Sequence, residues 1–267
     1  MRESYGVVLP DLNLAELTGK LIVIEGTDGV GRSTQINLLR PWLEQLGRAV
    51  LDTGLSRSEL AGRGIKQAKE GHTLGPITLS LFYATDFADR LENAIIPALR
   101  SGFVVLTDRY IYSLMARAIM RGLDPGWVRN LYGFALRPDA IFYLRVSVDD
   151  LIPRVVFARG FDYWESGMDL FPSEDMYEAF RKYQTALLVQ FDKLAEADGF
   201  EVIDATPDAH AVFRRLQEGI SRVLSGEPRA PLFAAEAPAA TAEKVKEKEG
   251  KPGAQASGKE SDQEASR

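Results

Sequence analysis

The fold of this chain of 267 residues is decided by the stretch Gly26-Thr27-Asp28-Gly29-Val30-Gly31-Arg32-Ser33. The stretch follows an apolar run, Leu21 to Ile24, and precedes a segment with helical spacing, so it is predicted to join a β-strand to an α-helix. Its glycines let the backbone curl so that successive N–H groups point inward, and the start of the helix adds its positive end. The pattern indicates a phosphate-binding loop in which arginine takes the place of the usual lysine.

A triphosphate fits such a loop. The prediction assigns its binding to Gly26, Thr27, Asp28, Gly29, Val30, Gly31, Arg32, Ser33 and Thr34. The loop has a second interpretation, since glycine-rich turns also join strands to helices for steric reasons, and lysine is the most specific letter of the pattern. The rest of the chain therefore has to decide between a nucleotide site and a plain turn.

Five short apolar runs predict β-strands that alternate with helical segments. The runs are Leu21 to Glu25, Ala49 to Thr53, Phe103 to Thr107, Ala140 to Val146 and Phe200 to Asp204. Such alternation is typical of a mostly parallel sheet with helices on both faces. The predicted fold class is therefore α/β, a five-stranded parallel sheet covered on both sides. Long helices are expected over Ile77 to Arg100 and Ser173 to Asp198.

The sequence predicts one folded domain, residues 18–224, between two segments of different character. Residues 1–17 show no clean period and are expected to form an extended lead-in that packs against the domain. Residues 225–267 turn to Ala, Glu, Lys, Pro, Gly and Ser. Because such a composition buries too little apolar surface to offset the entropy of ordering, this C-terminal tail is predicted to be disordered.

The overall composition excludes several classes of protein. The net charge of −6 argues against a general nucleic-acid binder, which normally carries a basic face. The chain has no cysteine, which excludes disulfides and thiolate metal sites and fits a reducing compartment. No signal pattern opens the chain, and no apolar run approaches the roughly 18 residues of a membrane span. A cytoplasmic protein that binds neither nucleic acid nor membrane is expected.

A second motif, Asp108-Arg109-Tyr110, comes at the end of the third apolar run. It places a carboxylate at the carboxyl end of a buried strand, which is the edge of an open parallel sheet where ligands bind. Asp108 could there hold Mg²⁺, directly or through water, while Ser33 supplies a hydroxyl ligand. The alternative is that Asp108 only caps the following helix and that Arg109 makes a surface salt bridge.

Taken together, these motifs resemble the thymidylate kinase family. The shared features are the loop from Glu25 to Gly31, Leu81-Phe82-Tyr83-Ala84 with Pro97-Ala98-Leu99, Asp108-Arg109-Tyr110 with Ser113, and Pro138-Asp139, in the same order from about Lys20 to Leu224. The resemblance implies the P-loop fold of nucleoside monophosphate kinases. It also implies transfer of the γ-phosphoryl group of ATP, with Mg²⁺, to a nucleoside monophosphate, dTMP before others, in pyrimidine deoxynucleotide synthesis.

The resemblance also implies roles for individual residues. Asp28 would lie near the acceptor sugar and the metal, Arg109 would bind the acceptor phosphate, and Tyr83 would stack on the acceptor base. Tyr83 has a second interpretation as a core aromatic residue. The implied catalytic residues are Arg32, Asp108, Arg109 and Arg159, the substrate-binding residues are Asp28, Tyr83, Phe87, Arg109, Ser113 and Arg117, and the metal ligands are Ser33 and Asp108.

A mobile lid is part of the family's pattern and should lie between residues 148 and 171. Arg154 and Arg159 are the candidates for its catalytic arginine, and Arg159 is closer to the family's arginine-glycine pattern. Either could instead be a solvated charge at a helix end. Members of the family are usually homodimers, so the resemblance also implies a homodimer.

The chain departs from the family's pattern in several places that bear on specificity and rate. Arg32 replaces the loop lysine, and its longer planar head cannot occupy the same point. Phe87 stands where an arginine usually reads the base, with Arg90 one turn further on, and Arg117 stands where a tyrosine often contacts base and sugar. A related kinase with a different acceptor, or a catalytically impaired nucleotide binder, are therefore the alternative hypotheses.

Overall fold

The computed structural model describes residues 3–7, 9–70 and 74–227. Within these residues, none of the helices is both long enough and apolar enough to span a membrane. The predicted C-terminal tail lies outside the described residues from position 228 onward, and its first residue, Ser225, is the last of a helix.

The sheet has five parallel strands, as the sequence predicts. They are β1 Lys20–Gly26, β2 Val50–Gly54, β3 Val104–Asp108, β4 Ala140–Arg145 and β5 Glu201–Asp204, in the order β2-β3-β1-β4-β5. In the register of the central pair, Ile24 lies opposite Asp108. The phosphate loop after β1 and the Asp108 motif after β3 therefore leave the sheet at the same edge, side by side.

Helices pack on both faces of this sheet. They are α1 Arg32–Gln45, α2 Gly62–Glu70, α3 Pro76–Arg90, α4 Ile96–Arg100, α5 Ile111–Met120, α6 Pro125–Leu131, α7 Val148–Ala158, α8 Met176–Asp198 and α9 Ala209–Ser225. Successive residues of β1 enter different hydrophobic clusters: Leu21 and Val23 belong to one, Ile22 and Ile24 to the other. All four side chains are fully buried, because alternate residues of a strand point to opposite faces and both faces are covered.

The helix expected over Ile77 to Arg100 is one helical segment with a wider turn inside it. A π-helical turn, Leu91–Ile95, separates α3 from α4. Pro97 follows this turn, and a proline lacks an N–H and clashes with the carbonyl four residues before it in a regular α-helix. The wider turn lets the segment continue past the proline.

Residues of the N-terminal lead-in contact the rest of the chain. Glu3 O accepts a hydrogen bond from Arg137 N at 2.8 Å, and Tyr5 N donates to Ala135 O at 3.0 Å. The hydroxyls of Tyr5 and Tyr112 are hydrogen-bonded to each other. These contacts fasten the lead-in to α5 and to the connection between α6 and β4.

Candidate active site

The phosphate loop connects β1 to α1 and has the geometry of an anion site. Gly29 and Gly31 have φ angles of +83° and +103°, which only glycine adopts without strain. Gly31 occupies the N-cap position of α1 and supplies no side-chain acceptor to the first N–H groups of the helix. These N–H groups and the helix dipole therefore remain for an anionic ligand.

Gly29 is also the point where α7 rests on the loop. A Cβ atom at Gly29 would lie 2.4 Å from Val155 Cγ2, far inside van der Waals contact. The helix that forms the first half of the predicted lid segment is therefore in direct contact with the phosphate loop. Among the other loop residues, Thr27 and Val30 are buried and Thr34 is exposed.

Arg32 is turned inward, toward the loop's own backbone. Its Nη1 donates to Gly26 O at 2.5 Å and to Thr27 O, and its Nε lies 2.7 Å from Asp108 Oδ1. The side chain is only 7% exposed. The sequence prediction placed this charge against donor phosphates, whereas here the planar, five-donor head of arginine reaches three protein acceptors at once.

Asp108 and Ser33, the two predicted metal ligands, are brought together. Ser33 Oγ donates to Asp108 Oδ2 at 3.0 Å. Mg²⁺ prefers oxygen ligands and is commonly held by one or two protein oxygens together with waters and substrate phosphates, so this pair fits such an ion. In the part of the chain that the structure describes, no group of three or more His, Cys, Asp or Glu side chains could form a cage for a metal.

A cavity of about 350 Å³ opens beside the phosphate loop, on the side of β5 and α9. Arg154 lines it and donates to Ala205 O at 2.8 Å and Thr206 O at 2.9 Å, which ties α7 to the loop after β5. The cavity wall also includes Gly29, Gly31, Thr34, Thr206 and Asp208. Its position next to the loop makes it the candidate space for the rest of a phosphate-bearing donor.

Glu25 fixes the turn after β3, a role that the sequence prediction missed. It is fully buried, and its carboxylate accepts hydrogen bonds from Tyr110 N at 2.8 Å and Ser113 Oγ at 2.6 Å. Burial raises the pKa of Glu25, while the Ser113 hydrogen bond works in the opposite direction. A carboxylate within an otherwise apolar strand was the signal that could have identified it.

Ser113 therefore differs from its expected role. Its hydroxyl is 1% exposed and donates to Glu25, so in this structure it orients a buried carboxylate and does not face an acceptor.

Arg109 begins the turn with a left-handed backbone conformation, φ +70°. Its N–H donates to Ile24 O at 3.0 Å and its carbonyl accepts from Thr107 Oγ1 at 2.6 Å. A residue other than glycine rarely adopts this conformation, and such residues cluster at functional sites. The conformation brings the Arg109 side chain back over the phosphate loop.

Asp28 of the loop is shared by two arginines. Arg109 pairs with its Oδ1, and Arg117 Nη2 lies 2.5 Å from its Oδ2. Asp28 is 2% exposed, while the two arginine side chains are 20% and 17% exposed. Burial, and then the charge of Arg117, lower the pKa of Arg109 to about 9, so Arg109 still carries its charge at neutral pH.

A second, narrower pocket, the candidate acceptor pocket, lies beside Arg117, one of the two arginines that pair with Asp28. Its walls include three aromatic side chains, Tyr83, Tyr132 and Trp164, and three basic ones, Lys69, Arg117 and Arg121. Tyr83 and Arg117 are among the residues predicted from sequence. Lys69, Arg121 and Trp164 were missed, because they come from distant segments and no local pattern marks them.

Phe87, predicted to bind substrate, is a core residue. Its side chain is fully buried, and its ring centroid lies 5.0 Å from that of Tyr110 and 5.6 Å from that of Phe134. The expectation is corrected because an apolar ring on the inner face of α3 gains more from burial in this aromatic cluster than from exposure at a pocket.

The segment between α7 and α8 bridges the acceptor pocket. Trp164 Nε1 donates to Lys69 O, the carbonyl near the end of α2, at 3.1 Å. Arg121 of α5 forms a bidentate pair with Asp169, at 2.8 and 3.2 Å, and lies over the Trp164 ring. Lys69 in α2 and Arg121 at the end of α5 are thus both bonded to the predicted lid segment.

The two candidate lid arginines occupy different places. Arg154 lines the donor cavity, as described above, whereas Arg159 is 53% exposed and pairs with Glu165 Oε2 at 2.5 Å. The charge of Glu165 also acts on Arg109, whose pKa it raises. Arg159 is thus held by a carboxylate that lies within electrostatic reach of the acceptor side.

Comparisons with known proteins match most of the chain to one family. A family model described as thymidylate kinase matches residues 24–216. The chain is 42% identical over 209 residues to a probable thymidylate kinase 2 of Saccharolobus solfataricus, covering 78% of this chain and 96% of that protein. It is 38% identical over 197 residues to a thymidylate kinase of Clavibacter michiganensis subsp. michiganensis, covering 71% and 88%. A thymidylate kinase of Brachyspira hyodysenteriae is 31% identical over 169 residues, covering 62% and 83%.

The match spans both the phosphate loop and the lid segment, and covers well over half of the chain. The protein is therefore a phosphotransferase, and the chain belongs to the thymidylate kinase family.

Proposed function

We propose that this protein transfers the γ-phosphoryl group of ATP to dTMP, giving ADP and dTDP for deoxynucleotide synthesis. One observation carries the proposal: Arg109 and Arg117 share the carboxylate of Asp28 in the phosphate loop, and Arg117 also lines the aromatic pocket. A cationic group at that position can hold an acceptor phosphate facing the donor. The names of the relatives favour dTMP over another acceptor and over a protein without catalysis.

The donor would bind at the phosphate loop and in the cavity beside it. Its phosphates would be held by the N–H groups of the loop from Gly26 to Thr34 and by the positive end of α1. Arg32 would contribute its charge after leaving Asp108. The nucleoside part would occupy the cavity of about 350 Å³ next to Arg154.

The acceptor would bind with its base in the aromatic pocket and its phosphate at Arg109. Tyr83 lines this pocket and offers a ring for stacking on the base. Arg109 offers a planar fork of donors that matches a phosphate. Asp28 would hold both arginines in place, since its carboxylate is already bonded to them.

The reaction needs no general base. The second pKa of a phosphate monoester is about 6, so the acceptor phosphate is mostly a dianion at neutral pH and can attack directly. Its oxygen forms a bond to the γ-phosphorus while the bond from that phosphorus to the bridging β-oxygen breaks, and ADP leaves with the electron pair. Catalysis then rests on alignment and on neutralisation of charge by the arginines.

Mg²⁺ would be held by Ser33, in the first turn of α1, and Asp108, at the end of β3, whose side-chain oxygens lie together. When bound, the ion supplies charge neutralisation on the donor phosphates.

Arg159 is our candidate for the arginine that the lid contributes, and Arg154 is the alternative. Arg159 would have to leave Glu165, its partner in this structure, to reach a phosphate. Arg159 is 53% exposed and Glu165 is 17% exposed, so the pair is partly solvated and its release costs on the order of 1 kcal/mol.

We also propose that the protein is a homodimer in the cytoplasm. The family resemblance supports the dimer, and the exposed apolar side chains Ile77 and Leu81 on α3 offer a surface for it. The mass of the protein in solution, measured by light scattering after size exclusion, tests the dimer.

Product analysis tests the proposed reaction. The purified protein is incubated with ATP, Mg²⁺ and dTMP, and nucleotides are separated by chromatography. Formation of ADP and dTDP in equal amounts is expected. ADP without dTDP would indicate hydrolysis of ATP. The absence of both products would contradict the proposal.

A further inference from the structure

We propose that Arg117 is a second phosphate-binding residue, which together with Arg109 clamps the phosphate of the acceptor. The inference rests on the proposed function and adds a specificity-determining residue to it. In the family's pattern this position often carries a tyrosine, so the clamp would be a property of this chain.

The geometry brings the two guanidinium groups to one point. Arg109 comes from the turn after β3, and Arg117 lies two turns along α5. Both reach the carboxylate of Asp28, one at each oxygen. Their head groups are therefore neighbours, each held by one ion pair and each partly exposed.

The charges of this group do not balance. Two positive side chains, Arg109 and Arg117, share the one negative side chain of Asp28. Two like charges are held together at a cost unless an anion joins them. A phosphate dianion placed against both guanidinium groups would remove this repulsion.

Hydrogen-bond donors are also left over. Within the described residues, the Nε atoms of Arg109 and Arg117 are buried and have no hydrogen-bond partner. A buried N–H without a partner is uncommon and needs an explanation. A rotation of either side chain toward a bound phosphate would give these donors acceptors.

Arg117 lies between the aromatic pocket and Arg109. Arg117 lines the aromatic pocket together with Tyr83 and Trp164, while Arg109 is not among the pocket's lining residues. Arg117 thus stands between the candidate base pocket and Arg109. From this position it can bridge to the phosphate that Arg109 binds.

The alternative is that Arg117 only fastens α5 to the phosphate loop through Asp28. Comparison of dTMP with thymidine separates the two roles, because the two molecules differ only in the phosphate. Binding of dTMP is measured by calorimetry without ATP, and binding of thymidine by its competition with dTMP. The variants are R117Q, which removes the charge, and R117K, which keeps it.

We expect R117Q to weaken dTMP binding by roughly tenfold to a hundredfold, the usual effect of losing a hydrogen bond to a charged group. Thymidine binding should change less than about twofold by the same reasoning. R117K should recover part of the dTMP affinity. Asp28 keeps Arg109 as a partner in these variants, and thermal unfolding checks that they fold.

Three results would overturn the inference: equal weakening of dTMP and thymidine, no weakening of dTMP, or no difference between R117K and R117Q. R129Q is the matched control, since Arg129 also pairs with an aspartate, Asp198, but lies on α6 outside the pocket. Its dTMP affinity should equal that of the wild type. Failure of the wild type to bind dTMP would instead contradict the proposed function.

Discussion

Arg32 Nε lies 2.7 Å from Asp108 Oδ1, so the arginine that replaces the loop lysine is paired with the carboxylate at the end of β3. Arg32 also bonds two carbonyls of its own loop. In the proposed function, Arg32 would turn to the donor phosphates and Asp108 would hold Mg²⁺. Binding of the donor with its metal would therefore separate this pair.

Removal of the Arg32 charge should impair the donor side of the reaction. We expect Arg32→Met to lower kcat/KM for ATP by about a hundredfold or more, since one group that stabilises the charge of the transition state contributes on that order. Arg32→Lys keeps the charge and should stay within about tenfold of the wild type. Steady-state kinetics with varied ATP measures both. Unchanged kinetics for Arg32→Met would show that Arg32 only stabilises the conformation of the loop.

Substitution of Gly29 should disturb the contact between the phosphate loop and α7. A Cβ in Gly29→Ala would lie 2.4 Å from Val155 Cγ2, so α7 must move in addition to the strain of a positive φ. We expect a loss of stability of about 2 kcal/mol or more and a clear increase in KM for ATP. Thermal unfolding and kinetics provide the two measurements.

Gly47→Ala is the control for backbone strain. Gly47 also has a positive φ, +73°, but a Cβ there meets nothing within 4 Å. We expect Gly47→Ala to lower the stability by only about 1 kcal/mol and to keep the wild-type KM for ATP. Equal effects of the two substitutions on KM would contradict the role of α7.

The buried Glu25 should make stability depend on pH in a direction set by its raised pKa. A raised pKa means that the folded protein holds the proton of Glu25 more tightly than the unfolded chain does. We compare the free energy of unfolding of the wild type with that of Glu25→Gln. The difference in favour of the wild type should fall as the pH rises from 4.5, the usual pKa of a glutamate, through the raised pKa of the folded protein, and should stay constant above it. Urea unfolding of both proteins across this range measures the difference. A difference that grows with pH would contradict the shift.

Trp164 should hold the lid segment to α2. Trp164→Phe keeps an aromatic ring but removes the hydrogen bond to Lys69 O. We expect faster hydrogen exchange in α2 and a higher KM for dTMP, because the contact across the acceptor pocket is weakened. Trp127→Phe, at a partly exposed tryptophan on α6, is the control and should change neither. Unaltered exchange in α2 would mean that the indole hydrogen bond does not hold the segment.

The sequence predicted the two strand ends that carry the active site, because each is marked by a short continuous motif. The apolar run before Gly26 and the one before Asp108 are strands, and parallel strands place their carboxyl ends at one edge. The loop and the Asp108 motif were therefore predictable as neighbours. The π-helical turn before Pro97 shows the limit of periodicity, which predicts a helix but not a wider turn inside it.

The orientation of side chains was not predictable in the same way. Arg32 faces its own loop because the structure offers it three acceptors there, two of them carbonyls that no sequence pattern marks. Arg121 and Trp164 line the acceptor pocket because α5 and the lid segment meet in space, although they are far apart in the chain. Phe87 was misassigned because alignment of a motif does not show which face of α3 is buried.

The most direct test of our account is the rate of ADP formation with dTMP, dUMP, UMP, CMP, AMP and GMP supplied separately, each with ATP and Mg²⁺. The account predicts that kcat/KM is highest for dTMP. A preference for another monophosphate would place the specificity elsewhere, and no turnover with any acceptor despite measurable ATP binding would contradict the proposed catalysis.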